Sequence, residues 1–520
     1  MLRGPAQRRR SLLALTALLA LAVGTPPAIA MVPKGYAETS STPPSAASTA
    51  APAATAPTLT PAAIPYTPPP LTWSGCDASL PRTARCGWLE VPRDWGSAKV
   101  KGTYSIAVAK IPASSKSKRI GVITFNPGGP GSQGVSNITW VYSLLPTAVR
   151  ERFDLVAWDP RGVGMSEPSL SGCNGKAPHA PSTGPVDWQA WVTKYVKAQE
   201  QTAATCLKSN RDAADYVGTW QLVHDVDALR EALGEEALTF WGMSYGTTVG
   251  RAYAQYFPTK VRALLLDGVI SPLSTIELWA REHTWDDPAA INTMLDAFGP
   301  EYRRKYATVF AALDERTLPY GGGRINRWEA GYNIIQWASF QTTWSNARYL
   351  IDELYAAASK RGGGAAAADR QARATEWFDP HYTYVNCADM PDRPTIAQLT
   401  VIAEEGFRNG GVPVAQSALR EGAQCSGLPA LGRPLGQITT PMTLTTPPMI
   451  ANSIADNRTP WSAAEEMVAA FNGAKYVRYA GTHHIIYGRI NSCINEPITK
   501  YLTKLKLPEV DVRCPLTWYG

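Results

Sequence analysis

Histidine is scarce in this sequence, six residues among 520. No H-E-x-x-H spacing or acidic cluster accompanies them, so no metal and no cofactor is implied. The glycine-rich turn Asn126-Pro127-Gly128-Gly129-Pro130-Gly131 has no Gly-Lys-Ser/Thr after it, which removes a phosphate-binding loop. No period of 20–50 residues is evident, and repeat architectures fall away with it. Net positive charge is also thin outside one segment. Of the formal +7, Arg3, Arg8, Arg9 and Arg10 supply four, leaving +3 for the rest of the chain. Nucleic-acid binding therefore has no electrostatic case. The apolar run Leu12–Val23 is about a dozen residues, short of the roughly 20 that a membrane helix needs.

What the chain does have is hydrophobic content of 45% and seventeen tryptophans, enough for most of it to fold. Residues 1–30 carry the three parts of a secretory signal: Arg8-Arg9-Arg10, the run Leu12–Val23, and Ala28-Ile29-Ala30. Residues 31–70 are rich in Pro, Ala, Ser and Thr and read as a linker or pro-segment. Eight cysteines in an exported chain are expected to pair, and closeness in sequence suggests Cys76–Cys86, Cys173–Cys206, Cys387–Cys425 and Cys493–Cys514.

From about residue 71 strand-like runs appear: Tyr104–Ile111, Ile120–Phe125, Phe153–Trp158, Leu238–Trp241 and Val261–Leu266. Helical runs such as Trp220–Leu233 fall between them. Alternation of this kind predicts an α/β fold, a mainly parallel sheet with helices on both faces. Residues 271–435 read as helix and loop, with the Gly362-Gly363-Gly364-Ala365 stretch inside, before sheet pattern returns at Pro448–Ile454 and Lys475–Tyr479. The organisation expected is a core over 71–270 and 436–520, with a cap over 271–435.

Gly242-Met243-Ser244-Tyr245-Gly246 lies between a strand-like and a helix-like run, the setting of a nucleophile elbow. Side chains two positions either side of Ser244 would collide, which gives the two glycines a steric reason. A serine hydroxyl needs a base. His179 lies in a Pro/Ser-rich loop, His224 in a helical run, and His283 and His381 in the expected cap, whereas His483 and His484 follow the last strand. Asp456, at the end of the preceding strand, is the candidate acid, and Asp267 is its rival. The backbone amides of Gly129 and Tyr245 are the candidate oxyanion donors.

Five motifs in this order resemble one family: Asn126-Pro127-Gly128-Gly129-Pro130-Gly131, Asp159-Pro160-Arg161-Gly162-Val163-Gly164-Met165-Ser166, the Ser244 pentapeptide, Asp456-Asn457-Arg458-Thr459-Pro460 and Gly481-Thr482-His483-His484. They look like α/β-hydrolase serine peptidases of the prolyl aminopeptidase type, most closely secreted tripeptidyl aminopeptidases of Streptomyces and their mycobacterial relatives. Pro127 stands where such relatives often carry His, and Asn452-Ser453-Ile454-Ala455 departs from their usual approach to the acid. The doubled histidine leaves the base open on spacing alone; the resemblance places it at His484.

The resemblance implies an α/β-hydrolase fold with a Ser244–His484–Asp456 triad, acting as a secreted monomer on peptides or proteins with free N-termini. It has no nucleic-acid partner, and no membrane association once the signal is removed. Short peptides, tripeptides above all, would be released by way of an acyl-enzyme. Amine recognition calls for a carboxylate in the cap, and Glu282 and Asp389 are the candidates carried forward from a set that includes Glu277, Asp286 and Asp287. A secreted esterase or lipase with the same triad is the alternative; a non-catalytic surface protein is argued against by the intact triad.

Overall fold

The computed structural model describes residues 64–175, 178–360 and 377–517. The expected signal, most of the expected linker and the Gly362–Gly364 stretch lie outside these. Ordered packing begins before Leu71, since Tyr66 stacks edge-on against Trp95 at 5.7 Å and donates to the Glu90 carbonyl.

Ten strands among the described residues form one sheet: β1 (Ser74–Gly75), β2 (Arg85–Pro92), β3 (Thr103–Ile111), β4 (Gly121–Asn126), β5 (Phe153–Trp158), β6 (Leu238–Met243), β7 (Val261–Asp267), β8 (Met449–Ser453), β9 (Lys475–Tyr479) and β10 (Val512–Cys514). Their spatial order is β1-β2-β3-β5-β4-β6-β7-β8-β9-β10, antiparallel through β5 and parallel from β5 onward. The chain therefore has the α/β-hydrolase fold expected of it.

The central strands β4, β5 and β6 are buried at every position, because helices cover both faces of a parallel sheet. Successive side chains of β6 alternate between two cores. Leu238 and Phe240 join one with α3 (Thr219–Ala232) and α4 (Tyr245–Tyr256), while Trp241 and Met243 join the other with α1 (Gly134–Leu144) and α12 (Ser492–Lys504).

Between β7 and β8 lies a helical insertion: α5 (Ile276–Phe298), α6 (Pro300–Glu315), α7 (Arg327–Ala338), α8 (Trp344–Ser359), α9 (Pro380–Asp389) and α10 (Ile396–Ala423), the last broken at Gly410 and Gly411. Much of it packs around its own cluster, with Met294, Leu313, Ile334, Trp344 and Leu350 inside. One helix was not anticipated. The long α2 (Trp188–Ala214) precedes α3 in the chain, yet Trp191, Val192 and Tyr195 pack against Leu399 and Leu419 of α10. A short helix, α11 (Trp461–Ala469), follows the acid loop.

All four disulfides suggested by closeness are present: Cys76–Cys86, Cys173–Cys206, Cys387–Cys425 and Cys493–Cys514. Each closes a loop of 10 to 38 residues, worth on the order of 3 kcal/mol in unfolded-state entropy.

Candidate active site

Ser244 sits between β6 and α4 with φ 54° and ψ −124°, a left-handed conformation that costs a non-glycine residue on the order of 1–3 kcal/mol. The surroundings enforce it. The Ser244 amide donates to the Asp267 carbonyl at 2.9 Å, and the Ser244 carbonyl accepts from the amide and hydroxyl of Thr247 at 2.8 and 2.7 Å. A Cβ on Gly242 would run into the Gly246 carbonyl, and one on Gly246 into the Asn126 carbonyl. The result is a partly exposed serine at the carboxyl end of the parallel strands, where open α/β sheets place their sites.

The acid and base candidates meet on the loops after β8 and β9. Asp456 is 1% exposed; its Oδ1 accepts the amides of Arg458 (2.8 Å) and Thr459 (3.2 Å), and its Oδ2 the Thr459 hydroxyl (3.0 Å). His484 Nδ1 lies 2.8 Å from Asp456 Oδ2. An Nδ1–H donated to a carboxylate leaves the lone pair on Nε2, the tautomer a general base requires. His483 is placed otherwise. Its carbonyl accepts from the Ser453 hydroxyl at 2.7 Å, its Nε2 is 3.3 Å from the Arg489 guanidinium, and burial with that cation lowers its pKa to about 3.

Asp267, the rival acid, serves the same region in another way. Its carboxylate accepts the amides of Ile486 and Tyr487 at 2.8 and 3.0 Å, pinning the chain just past His484. Its backbone carbonyl meanwhile holds Ser244, so one residue connects the serine and histidine loops. Burial raises its pKa to about 6, opposed by those two amides.

The loop after β4 closes the site. Gly128 adopts φ 101°, and a Cβ there would lie 2.8 Å from Ser244 Cβ, so the loop backbone passes directly against the serine. Among the described residues the amides of Gly129 and Tyr245 and the Ser244 hydroxyl have no hydrogen-bond partner in the protein.

The two amine-site candidates have different surroundings. Asp389 accepts the amide of Thr219 at 2.9 Å and also its hydroxyl, which in turn meets the Tyr245 phenol. It thus caps α3 from the insertion, where a negative group is favoured. Burial raises its pKa to about 7, opposed by the Thr219 bonds and by Arg251. Glu282 instead lies one turn before Asp286 on α5, both partly buried. Burial and the neighbouring Glu466 push Glu282 up to about 8; burial, with Glu282 next, pushes Asp286 well up, and the Asp456 charge reaches it as well.

A raised carboxyl pKa has a definite sign in stability. Between an unfolded value near 4 and a folded value of about 7, the folded chain holds more protons at Asp389, so stability falls as pH rises through that window. Thermal midpoints are expected to decline from pH 5 to pH 7.5, and Asp389→Asn is expected to flatten the decline. An unchanged slope in that variant would show that Asp389 does not titrate in this range.

Residues 121–319 match the family model described as alpha/beta hydrolase fold, and residues 412–514 the model described as TAP-like protein. The chain has the α/β-hydrolase fold and a TAP-like C-terminal region. It is 28% identical over 498 residues to "Serine protease Hip1" of Mycobacterium tuberculosis, covering 86% of this chain and 91% of that one. To "Tripeptidyl aminopeptidase" of Streptomyces lividans it is 27% identical over 481 residues, covering 85% and 86%. A "Carboxylesterase B" of Mycobacterium tuberculosis is 28% identical over 494 residues, covering 86% and 91%. These similarities set the hydrolase among serine peptidases of this fold.

Other residues singled out in the sequence prove to support this hydrolase from a distance. Asp159 accepts the amides of Val135 and Met165 at 2.9 and 3.2 Å, capping α1. Arg161 makes a two-pronged, fully buried ion pair with Asp225 and donates to the carbonyls of Pro92, Arg93 and Tyr216. His224 is held inside α3 by the Trp220 carbonyl, and His381 abuts Gly131 and Gly162. Thr459 was missed, although its hydroxyl touches both Asp456 and His484. Its place three residues after an aspartate was the available signal, since short polar side chains at that spacing bond locally.

Proposed function

We propose that this hydrolase is an exported serine exopeptidase that releases short peptides, tripeptides above all, from free N-termini. The 2.8 Å Asp456–His484 contact carries the catalytic part of the reading, beside a strained serine at the same end of the sheet. His484 Nε2 takes the Ser244 proton as Oγ attacks the scissile carbonyl. The tetrahedral oxyanion is met by the Gly129 and Tyr245 amides. His484 then returns the proton to the leaving amine as the C–N bond breaks, and water hydrolyses the acyl-serine by the same relay. Asp456 stabilises the imidazolium at each stage. Four disulfides suit an oxidising compartment, and no helix among the described residues is long and apolar enough to cross a membrane.

Glu282 and Asp286 support the exopeptidase part. Two partly buried carboxyls one helical turn apart cannot both ionise cheaply, and a substrate ammonium between them would relieve that repulsion. Asp389, already engaged by Thr219, is set aside as an amine ligand. Acetylating the amine of a tripeptide p-nitroanilide is expected to lower kcat/KM roughly a hundredfold or more, the loss of a desolvated charge pair. Equal rates on free and acetylated substrates would sink amine recognition. The carboxylesterase relative keeps an esterase reading open, and p-nitrophenyl esters turned over far faster than peptide amides would select it.

A further inference from the structure

The loops that carry Asp456 and His484 touch each other directly. The Ser453 hydroxyl donates to the His483 carbonyl at 2.7 Å, and the Ala455 amide to the Gly481 carbonyl at 3.1 Å. A third partner comes from the insertion. Ser339, which closes α7, accepts the His484 amide on its carbonyl at 2.9 Å. Its hydroxyl donates to Asn457 Oδ1 at 2.7 Å and accepts from Arg458 Nε at 3.0 Å. One side chain and one carbonyl of a single residue thus hold the base and the two residues that follow the acid.

The neighbours of Ser339 extend the clamp. Phe340 sets its ring edge-on to His483 and His484, at 5.5 and 6.2 Å between centroids. Gln341 Oε1 accepts the hydroxyl of Tyr479, the last residue of β9, at 2.7 Å. On the far side Asn457 Nδ2 donates to Asp287 of α5 at 2.7 Å, and Arg458 reaches Gln336 of α7. Ser339 and Asn457 are buried, so the bond between them cannot be exchanged for water without loss.

Asp456 lies three residues beyond the end of β8 and His484 five beyond the end of β9, so sheet bonding orients neither side chain. We propose that Ser339 is a positioning residue through which the insertion sets the Asp456–His484 geometry. Loosening it lowers turnover without weakening substrate binding. This rests on the triad reading above. Loss of orientation in a serine–histidine relay affects acylation of any reagent, including one too small to touch the insertion.

The test compares the full chain with its Ser339→Ala, Asn457→Ala and doubly substituted variants. It reads the rate at which a fluorophosphonate labels Ser244, the kcat and KM on a tripeptide p-nitroanilide, and the thermal midpoint. Both single variants are expected to label and to turn over about tenfold or more slowly, as expected for one lost buried hydrogen bond, with KM within about twofold. The double variant should lose clearly less than the product of the two single effects, because the two substitutions share the Ser339–Asn457 contact. If Ser339→Ala fails to fold, Asn457→Ala alone decides. Variants that lose thermal stability but label at the wild-type rate overturn the proposal alone, leaving the triad intact. A wild-type chain that is not labelled at Ser244 overturns the triad reading and this proposal with it.

Discussion

Ser244→Ala is expected to lower kcat on a tripeptide amide by about 10⁶, and His484→Ala to match it, with the double variant little worse than either. The reason is that attack needs the hydroxyl and its proton acceptor together; removing one idles the other. The fold should survive, since Ser244 is fixed through its backbone amide and carbonyl, and alanine keeps both. His483→Ala is expected to be mild, because that ring faces Arg489 and Phe340 while its neighbour meets Asp456. Far-UV circular dichroism and the thermal midpoint of each purified variant separate lost turnover from lost fold. A dead His483 variant beside an active His484 variant would reverse the assignment.

Asp456→Asn is expected to cost about 10⁴ in kcat with modest change in KM, by analogy with the serine triad. An amide can donate to Nδ1, which moves the imidazole proton to Nε2 and removes the lone pair that should face Ser244. The Arg458 and Thr459 amides would still find an oxygen, so stability is affected less than rate. Asp267→Asn makes the control. Its carboxylate serves two buried amides with two oxygens, and asparagine offers one, so about 1–3 kcal/mol of stability is expected to go, with a smaller loss of rate. Should Asp267→Asn prove the slower enzyme and Asp456→Asn the less stable one, the acid role passes to Asp267.

Much of this arrangement was legible in the chain for steric reasons. The spacing of Gly242 and Gly246 about Ser244 reflects backbone collisions that the folded turn indeed contains. The runs that became β4 to β7 are short, mostly apolar and bounded by turn residues, as strands buried on both faces must be. The strand β2 was passed over, though Leu89 and Val91 face the core while Trp88 is exposed, the alternation of an edge-side antiparallel strand. Spacing left His483 and His484 equivalent, because consecutive residues on a loop can point either way; only the position of Asp456 separates them. Among the acids of the insertion, Asp389 lies two residues after the disulfide-bonded Cys387, but Thr219, 170 residues earlier, takes up its oxygens. Contacts of that range leave no local trace.

The parallel order of β6, β8 and β9 has a consequence in time. His484 follows Ser244 by 240 residues, with the whole insertion between them. At synthesis rates of about 5–20 residues per second, the nucleophile is made roughly 10–50 s before the histidine that would activate it. On the proposed triad, a chain interrupted between α4 and β9 carries its nucleophile without the base that would take the proton. By the same proposal, an emerging molecule would be silent toward its neighbours and itself until its C-terminal strands have joined the sheet.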